Sequence, residues 1–286
     1  MNNKAISIII PALNEEGAIG ETIKKIQDVF ASTKRRFEVI VVDDGSTDDT
    51  GKKAEEAGAR VIRHPINTGY GSALLSGIAS ARYELIGMID GDGSYQPEDF
   101  HKLLEFGDDF DMVIGARTGV HYRGSFLKTP AREAFHWLAQ YITGEKIPDV
   151  NSGMRVFKKE AIAKIEHIIC RGFSFSTTLT LNLLSGGSFV KFVPISYHKR
   201  VGRSHVRYLR DTLRAGQIMV ETLIYFNPIK IMLPLVLLSF FISPIFFFSW
   251  LFFHKDMWLL ISAISFLSSL HLFGMGLIMD RIRMNR

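Results

Sequence analysis

Asp90-Gly91-Asp92 sets two carboxylates one residue apart directly after the apolar run Leu85-Ile86-Gly87-Met88-Ile89. Carboxylates so spaced at the end of a buried strand can reach one hard cation together, and Gly91 and Gly93 let a ligand approach the backbone closely. The chemistry this suits is retention of a diphosphate through Mg2+ or Mn2+. A plain turn is the competing reading, because Asp-Gly pairs are frequent turn formers. Further acidic residues follow two other apolar runs: Glu15 in Pro11-Ala12-Leu13-Asn14-Glu15-Glu16, and Asp43-Asp44.

These side chains need rigid elements to hold them. Short β-rich runs at residues 5–11, 37–43, 60–63, 84–90 and 111–115 alternate with helical stretches near 18–30, 48–57, 70–81 and 98–106. The alternation predicts an α/β domain with a mainly parallel sheet covered by flanking helices. Asp43-Asp44 and Asp90 then fall at carboxyl ends of strands, the edge at which open α/β sheets bind ligands. Ser46-Thr47-Asp48-Asp49 has the spacing of a capping box and predicts a helix start after the second strand. Residues 118–130 read as a loop, followed by a helix opening at Pro130 and running to about Thr143. Residues 147–155 form a second irregular stretch leading into mixed structure that ends near Tyr197.

Composition changes near Asn227. Beyond it, residues 231–253 and 258–279 contain no charged side chain, and each exceeds the roughly 20 residues needed to cross about 30 Å of hydrocarbon. The segment just before them has Val206, Leu209, Leu213, Val220 and Leu223 on one helical face. Arg207, Arg210, Asp211, Arg214, Gln217 and Glu221 occupy another, which suits a helix lying in the membrane interface; a surface helix packed on the first domain is the alternative. The chain has 286 residues and a formal charge of +5. Its basic residues gather before the first span and after the second, at Arg281, Arg283 and Arg286, whereas His254-Lys255-Asp256-Met257 between the spans is nearly neutral. The positive-inside rule therefore predicts an integral membrane protein with both termini and the first domain in the cytoplasm. Basic clusters abutting spans favour membrane lipids or a phosphate ligand over nucleic acid. No signal-peptide pattern precedes the first run, so insertion is expected to rely on the C-terminal spans. Cys170 is the single cysteine, which excludes an intrachain disulfide and a thiolate metal cluster.

Taken together, Pro11-Ala12-Leu13-Asn14-Glu15-Glu16, Val41-Val42-Asp43-Asp44-Gly45-Ser46-Thr47-Asp48 and Met88-Ile89-Asp90-Gly91-Asp92-Gly93 closely resemble the family 2 glycosyltransferases of GT-A fold. Over nearly the whole chain the resemblance is to the branch containing dolichyl-phosphate mannose synthases and bacterial polyprenyl-phosphate glycosyltransferases. It implies a GT-A domain over 1–205, an amphipathic helix over 206–227 and a hairpin of two transmembrane helices over 228–286. It also implies metal-dependent, inverting transfer of a hexose from a UDP- or GDP-linked nucleotide-sugar to a polyprenyl phosphate. Under that resemblance Pro11, Leu13 and Glu15 border the nucleoside, with Glu15 near the ribose, and Asp43 or Asp44 accepts hydrogen bonds from the base. Asp90 and Asp92, flanking Gly91, bind donor and metal. Ser94 stands where the mannose-synthase branch often has a metal-assisting Gln, and a hydroxyl there can ligate directly or through water. Arg117 and Arg132 match the acceptor-phosphate arginines, and residues 149–155 match the segment beside the donor sugar. Arg200, Ser204 and His205 match a phosphate-binding loop in which His205 replaces the usual Lys.

A phosphate monoester has a second pKa of about 6 and is mostly ionised near neutral pH, so such an acceptor needs no strong general base. Two other readings stay open on sequence: transfer to a different lipid hydroxyl, and a non-catalytic membrane module that binds nucleotide-sugar. The processive Q-x-x-R-W signature is absent. A homo-oligomer is compatible with the sequence.

Overall fold

The computed structural model describes residues 4–33, 35–119, 129–163, 165, 169, 172, 174–198 and 208–284. Every residue of strand β1 (Ile6–Ala12) is buried. A strand covered on both faces must be apolar throughout, and its Ile-rich run also favours the extended backbone. β1 pairs in parallel with β2 (Phe37–Asp43) on one side and β4 (Leu85–Met88) on the other, and β2 pairs in parallel with β3 (Arg60–Arg63). These four strands, with β5 (Met112–Thr118), are the five predicted from sequence.

Two further strands complete the sheet, β6 (Arg155–Lys158) and β7 (Val190–Ser196), giving the order β3-β2-β1-β4-β6-β5-β7. β6 is antiparallel to both neighbours, β4 and β5, while β5 and β7 are parallel. The reversal matters for function. It pairs Arg155, the first residue of β6, with Met88, the last of β4, so the chain entering β6 arrives at the carboxyl edge of the parallel strands.

Helices cover both faces. Ile6, Ile8 and Ile10 of β1 pack with Ile19, Ile23, Ile26 and Phe30 of α1 (Ile19–Ala31). Ile9 faces the other way, into a cluster with Leu74 and Ile78 of α3 (Tyr70–Ser80) and Phe175 and Leu179 of a later helix. This is the period-two division of a strand between two layers. α2 (Thr50–Glu56) follows β2, and α4 (Phe100–Leu104) follows a short 3-10 turn at Pro97–Asp99. α5 (Thr129–Thr143) begins one residue before the predicted Pro130; α6 (Lys159–Ala163) and the nearly wholly buried α7 (Phe175–Ser185) follow.

The capping box expected at Ser46–Asp49 does not form. α2 starts at Thr50, and Ser46 Oγ accepts from the Asn14 backbone N–H at 3.0 Å. The Asp49 N–H donates to Glu16 Oε2 at 3.4 Å, so the loops after β1 and β2 bond to each other, while the first helical N–H, that of Thr50, is met by Asp48 Oδ1 at 3.0 Å.

The chain divides into two compact units, Met1–Ile218 and Met219–Arg286, and α8 (Tyr208–Phe226) runs across the division. In the second unit α9 (Pro228–Phe253) and α10 (Asp256–Met284) have 26 and 29 residues, long and apolar enough to cross a membrane. Asn227 caps α9, its side chain accepting from the Lys230 N–H, and His254 ends it in the left-handed region. The two helices are joined by polar contacts: Ser243 Oγ donates to the Ser262 carbonyl at 3.0 Å and Ser262 Oγ to the Ser243 carbonyl at 2.9 Å. Small side chains that let backbones approach and hydroxyls that bond across the gap are what hold helices together where apolar burial gives no advantage.

Candidate active site

The acidic residues singled out from sequence lie on the carboxyl edge, where β1, β2 and β4 end. Pro11 is a buried residue next to the end of β1, Leu13 and Glu15 are half-buried beyond it, and Asn14 takes a positive φ of 56°. That bend lets Asn14 Oδ1 accept from the Thr47 N–H at 2.8 Å, while the Glu15 N–H donates to Thr50 Oγ1 at 2.8 Å. Glu15 is thereby seated beside the end of β2.

Asp43 and Asp44 are both buried but differ in their surroundings. Asp43 Oδ1 accepts from the Ser46 N–H at 3.0 Å. Asp44 receives more: the Thr68 N–H and hydroxyl reach Oδ1 at 2.9 and 2.7 Å, His64 Nδ1 lies 2.7 Å from the same oxygen, and the Gly69 N–H donates to Oδ2 at 2.8 Å. Asp44 therefore ties the end of β2 to the start of α3. Thr68, Gly69 and His64 did not stand out in sequence; the cue was Asn67-Thr68-Gly69-Tyr70-Gly71, a glycine-flanked helix start.

Beyond β4 the backbone turns through Gly91, Asp92 and Gly93. Gly93 has φ of 72°, a conformation costly for other residues, and the turn it permits lets the Ser94 N–H donate to Asp92 Oδ1 at 3.0 Å. The Ser94 hydroxyl donates to the same oxygen. Asp92 and Ser94 are 2% and 0% exposed, so this carboxylate is fixed by its own turn. Asp90 is held from two other segments. Tyr70 donates its hydroxyl to Oδ1 at 2.8 Å. Burial above all, and then the Asp90 charge, push the Tyr70 hydroxyl well above its ordinary pKa, which keeps it a donor. The second segment carries Gly153: a Cβ there would stand 2.3 Å from Asp90 Oδ2 and 2.7 Å from Oδ1.

Gly153 belongs to the stretch leading into β6. Its N–H donates to the Tyr95 hydroxyl at 2.6 Å. Arg155, 0% exposed, donates from Nε to the Ser152 carbonyl at 2.8 Å and from Nη2 to the Val150 carbonyl at 2.9 Å. Its Nη1 bonds Thr180 Oγ1 of α7 at 2.8 Å, and Thr177 donates to Asn151 Oδ1. Burial in the first place pushes Arg155 down to about 10, which leaves it charged at neutral pH. The role of residues 173–178 was open on sequence; Thr177, with Thr180 beyond it, braces the loop.

Arg117, at the end of β5, is forked onto Asp149. Nε donates to Oδ2 at 2.7 Å and Nη2 to Oδ1 at 2.9 Å, and the guanidinium carbon lies 5.2 Å from the centre of the Tyr197 ring. Burial opposes ionisation of Asp149, but the Arg117 guanidinium and the Arg117 and Asn151 backbone N–H groups outweigh it and hold the carboxyl below its usual range. Arg132 falls within α5, and its side chain lies outside the described residues. Arg200, Ser204 and His205 are outside the described residues altogether.

Among the described residues there is no group of three or more His, Cys, Asp or Glu that could hold a metal ion. Asp90, Asp92 and Ser94, the residues expected from sequence to take a divalent ion, make up a donor set of two carboxylates and a hydroxyl at this edge. It fits Mg2+ or Mn2+, hard ions commonly held by one or two protein carboxylates with substrate phosphates and water completing the shell.

A seven-stranded sheet with one reversed strand, and an acidic turn at its carboxyl edge beneath the loop entering that strand, defines the GT-A class of fold. The model for glycosyl transferase family 2 matches residues 7–166, and the chain belongs to that family. It is 31% identical over 221 residues to the low-salt glycan biosynthesis hexosyltransferase Agl6 of Haloferax volcanii, covering 75% of this chain and 53% of the relative. It is 28% identical over 165 residues to an undecaprenyl-phosphate 4-deoxy-4-formamido-L-arabinose transferase of Klebsiella pneumoniae, covering 56% of this chain and 50% of the relative. The chain thus spans about half the length of these two relatives. Its fold is similar to that of glucosyl-3-phosphoglycerate synthase from Mycobacterium tuberculosis in complex with Mg2+ and UDP, with a TM-score of 0.63 and 22% identity over 77% of this chain and 79% of that one.

Proposed function

We propose that the chain transfers a hexose from a UDP- or GDP-linked sugar to a polyprenyl phosphate at the cytoplasmic membrane face, with inversion at the anomeric carbon. The observation that carries this reading is the meeting of the Asp90-Gly91-Asp92 turn with the loop 149–153 on the carboxyl edge, Gly153 pressed against the Asp90 carboxylate. Asp90 and Asp92, with Ser94, would hold the divalent ion. When bound, such an ion neutralises charge on the departing diphosphate.

The remaining work belongs to the protein's own side chains. Pro11, Leu13, Glu15 and Asp43 border the nucleoside, and Asp44 keeps that wall in place through Thr68 and Gly69. The acceptor phosphate is already an anion, so it needs positive charge to receive it and no base to activate it. Arg132 and Arg200 supply that charge with Arg117, whose own charge is partly balanced by Asp149 and whose position Asp149 fixes. Since both Asp149 oxygens lie on Arg117, Asp149 is not presented as a base for a hydroxyl acceptor. That supports phosphate over alcohol. The similarity to the Klebsiella undecaprenyl-phosphate transferase supports the same acceptor class, and α9 and α10 suit a chain whose substrate is a membrane lipid.

The test is to incubate the purified full chain in lipid nanodiscs with a panel of UDP- and GDP-sugars and polyprenyl phosphates, then identify lipid products by mass spectrometry. One donor should yield a hexose joined through phosphate to the prenol. Absence of lipid product with every donor, or equal glycosylation of the free prenol, would overturn the proposal.

A further inference from the structure

We infer that Tyr70 is a positioning residue for Asp90, setting the carboxylate that receives the donor and its cation; this rests on the reading of Asp90 just given. Asp90 has only two side-chain torsions, and its carboxylate is fixed between two segments remote in sequence. Tyr70, the first residue of α3, donates to Oδ1 at 2.8 Å. Gly153 lies so close behind that a methyl group at its Cα would come within 2.7 Å of both carboxylate oxygens.

The tyrosine is itself well placed to be rigid. Its helix begins immediately after Gly69, whose N–H is bonded to Asp44 at 2.8 Å, and the Gly71 N–H donates to the Gly172 carbonyl at 3.2 Å. Asp44 therefore places the start of α3, α3 places the Tyr70 hydroxyl, and the hydroxyl places Asp90. The end of β2 and the end of β4 are thus joined through the Asp44 and Tyr70 side chains. A carboxylate held in this way meets its ligand without first losing rotational freedom, which is how preorganisation strengthens binding.

Tyr70→Phe keeps the ring and removes only the hydroxyl. The experiment titrates Mn2+ by electron paramagnetic resonance into the full chain with UDP or GDP present, for the parent, Tyr70→Phe and Asp90→Asn, and records the thermal midpoint of each without ligand. Steady-state kinetics with the active donor accompany it. Loss of one hydrogen bond to a charged group corresponds to about tenfold or more. Tyr70→Phe is expected to weaken Mn2+–nucleotide binding by up to about that factor and raise KM for the nucleotide-sugar, leaving KM for polyprenyl phosphate near the parent's, while the lost hydrogen bond also lowers the ligand-free midpoint modestly. Unchanged Mn2+ binding in Tyr70→Phe beside a clear loss in Asp90→Asn would overturn the inference and leave the functional reading standing. Unchanged binding in Asp90→Asn would remove both. An equal rise in KM for nucleotide-sugar and for polyprenyl phosphate would overturn the inference in favour of a packing role.

Discussion

At the scale of single residues, the pair Arg117–Asp149 carries the sharpest physical consequence. The Asp149 side chain is 2% exposed and that of Arg117 16%, and breaking a buried pair by removing one partner costs about 3–5 kcal/mol. Arg117's partial exposure places this pair toward the lower end. Because Asp149 is held below the ordinary value of about 3.9, its contribution to stability is fully present above that value and is lost as pH falls through the lower folded one. Asp149→Asn should therefore lower the thermal midpoint at neutral pH and flatten the acid limb of the midpoint–pH curve below about pH 4. A neutral midpoint equal to the parent's would contradict the pairing. Arg117 was singled out in sequence as a candidate for the acceptor phosphate, whereas its grip on Asp149 left no mark there: the two are 32 residues apart and meet only because β5 and the chain entering β6 end at the same edge.

At the scale of elements, that same edge explains what the sequence could and could not reveal. The five predicted strands announced themselves through apolar runs such as Ile6-Ser7-Ile8-Ile9-Ile10. β6 did not, because its Arg-Val-Phe-Lys has two apolar residues and opens on an arginine whose charge is met by carbonyls rather than by water. β7 alternates, with Val193 and Ile195 buried between exposed Pro194 and Ser196, and a short alternating strand gives a weak signal beside helical neighbours. The reversal of β6 is a property of pairing and leaves no local mark. It has a direct test in Gly153, which the reversal brings against Asp90. Gly153→Ala should displace the Asp90 carboxylate and reduce transfer at least tenfold, by loss of a charge-assisted contact, with the far-ultraviolet circular dichroism of the parent. Parent-level transfer would mean that the loop does not bear on Asp90.

At the scale of the whole molecule, the proposed nucleotide-sugar site and two membrane-length helices lie in one chain, and the proposed reaction needs both. Charge around the hairpin gives the expected orientation, with residues 255–257 on the outer side. A cysteine introduced by Asp256→Cys, in a Cys170→Ser background, should react with an impermeant maleimide on intact cells; protection there together with labelling near Arg283 would reverse the topology. The central claim rests on the acidic turn after β4, and Asp92 is its least ambiguous member, buried and oriented by Ser94. The most direct measurement is the rate of hexose transfer to polyprenyl phosphate by Asp92→Asn beside the parent, with Mg2+ or Mn2+ and again in EDTA. Asn keeps the size of Asp and the turn it makes but lacks its charge. The account predicts a folded, membrane-bound variant that has lost nearly all transfer, and a parent silenced by EDTA. Transfer by Asp92→Asn near the parent's rate, or a fully active parent in EDTA, would contradict it.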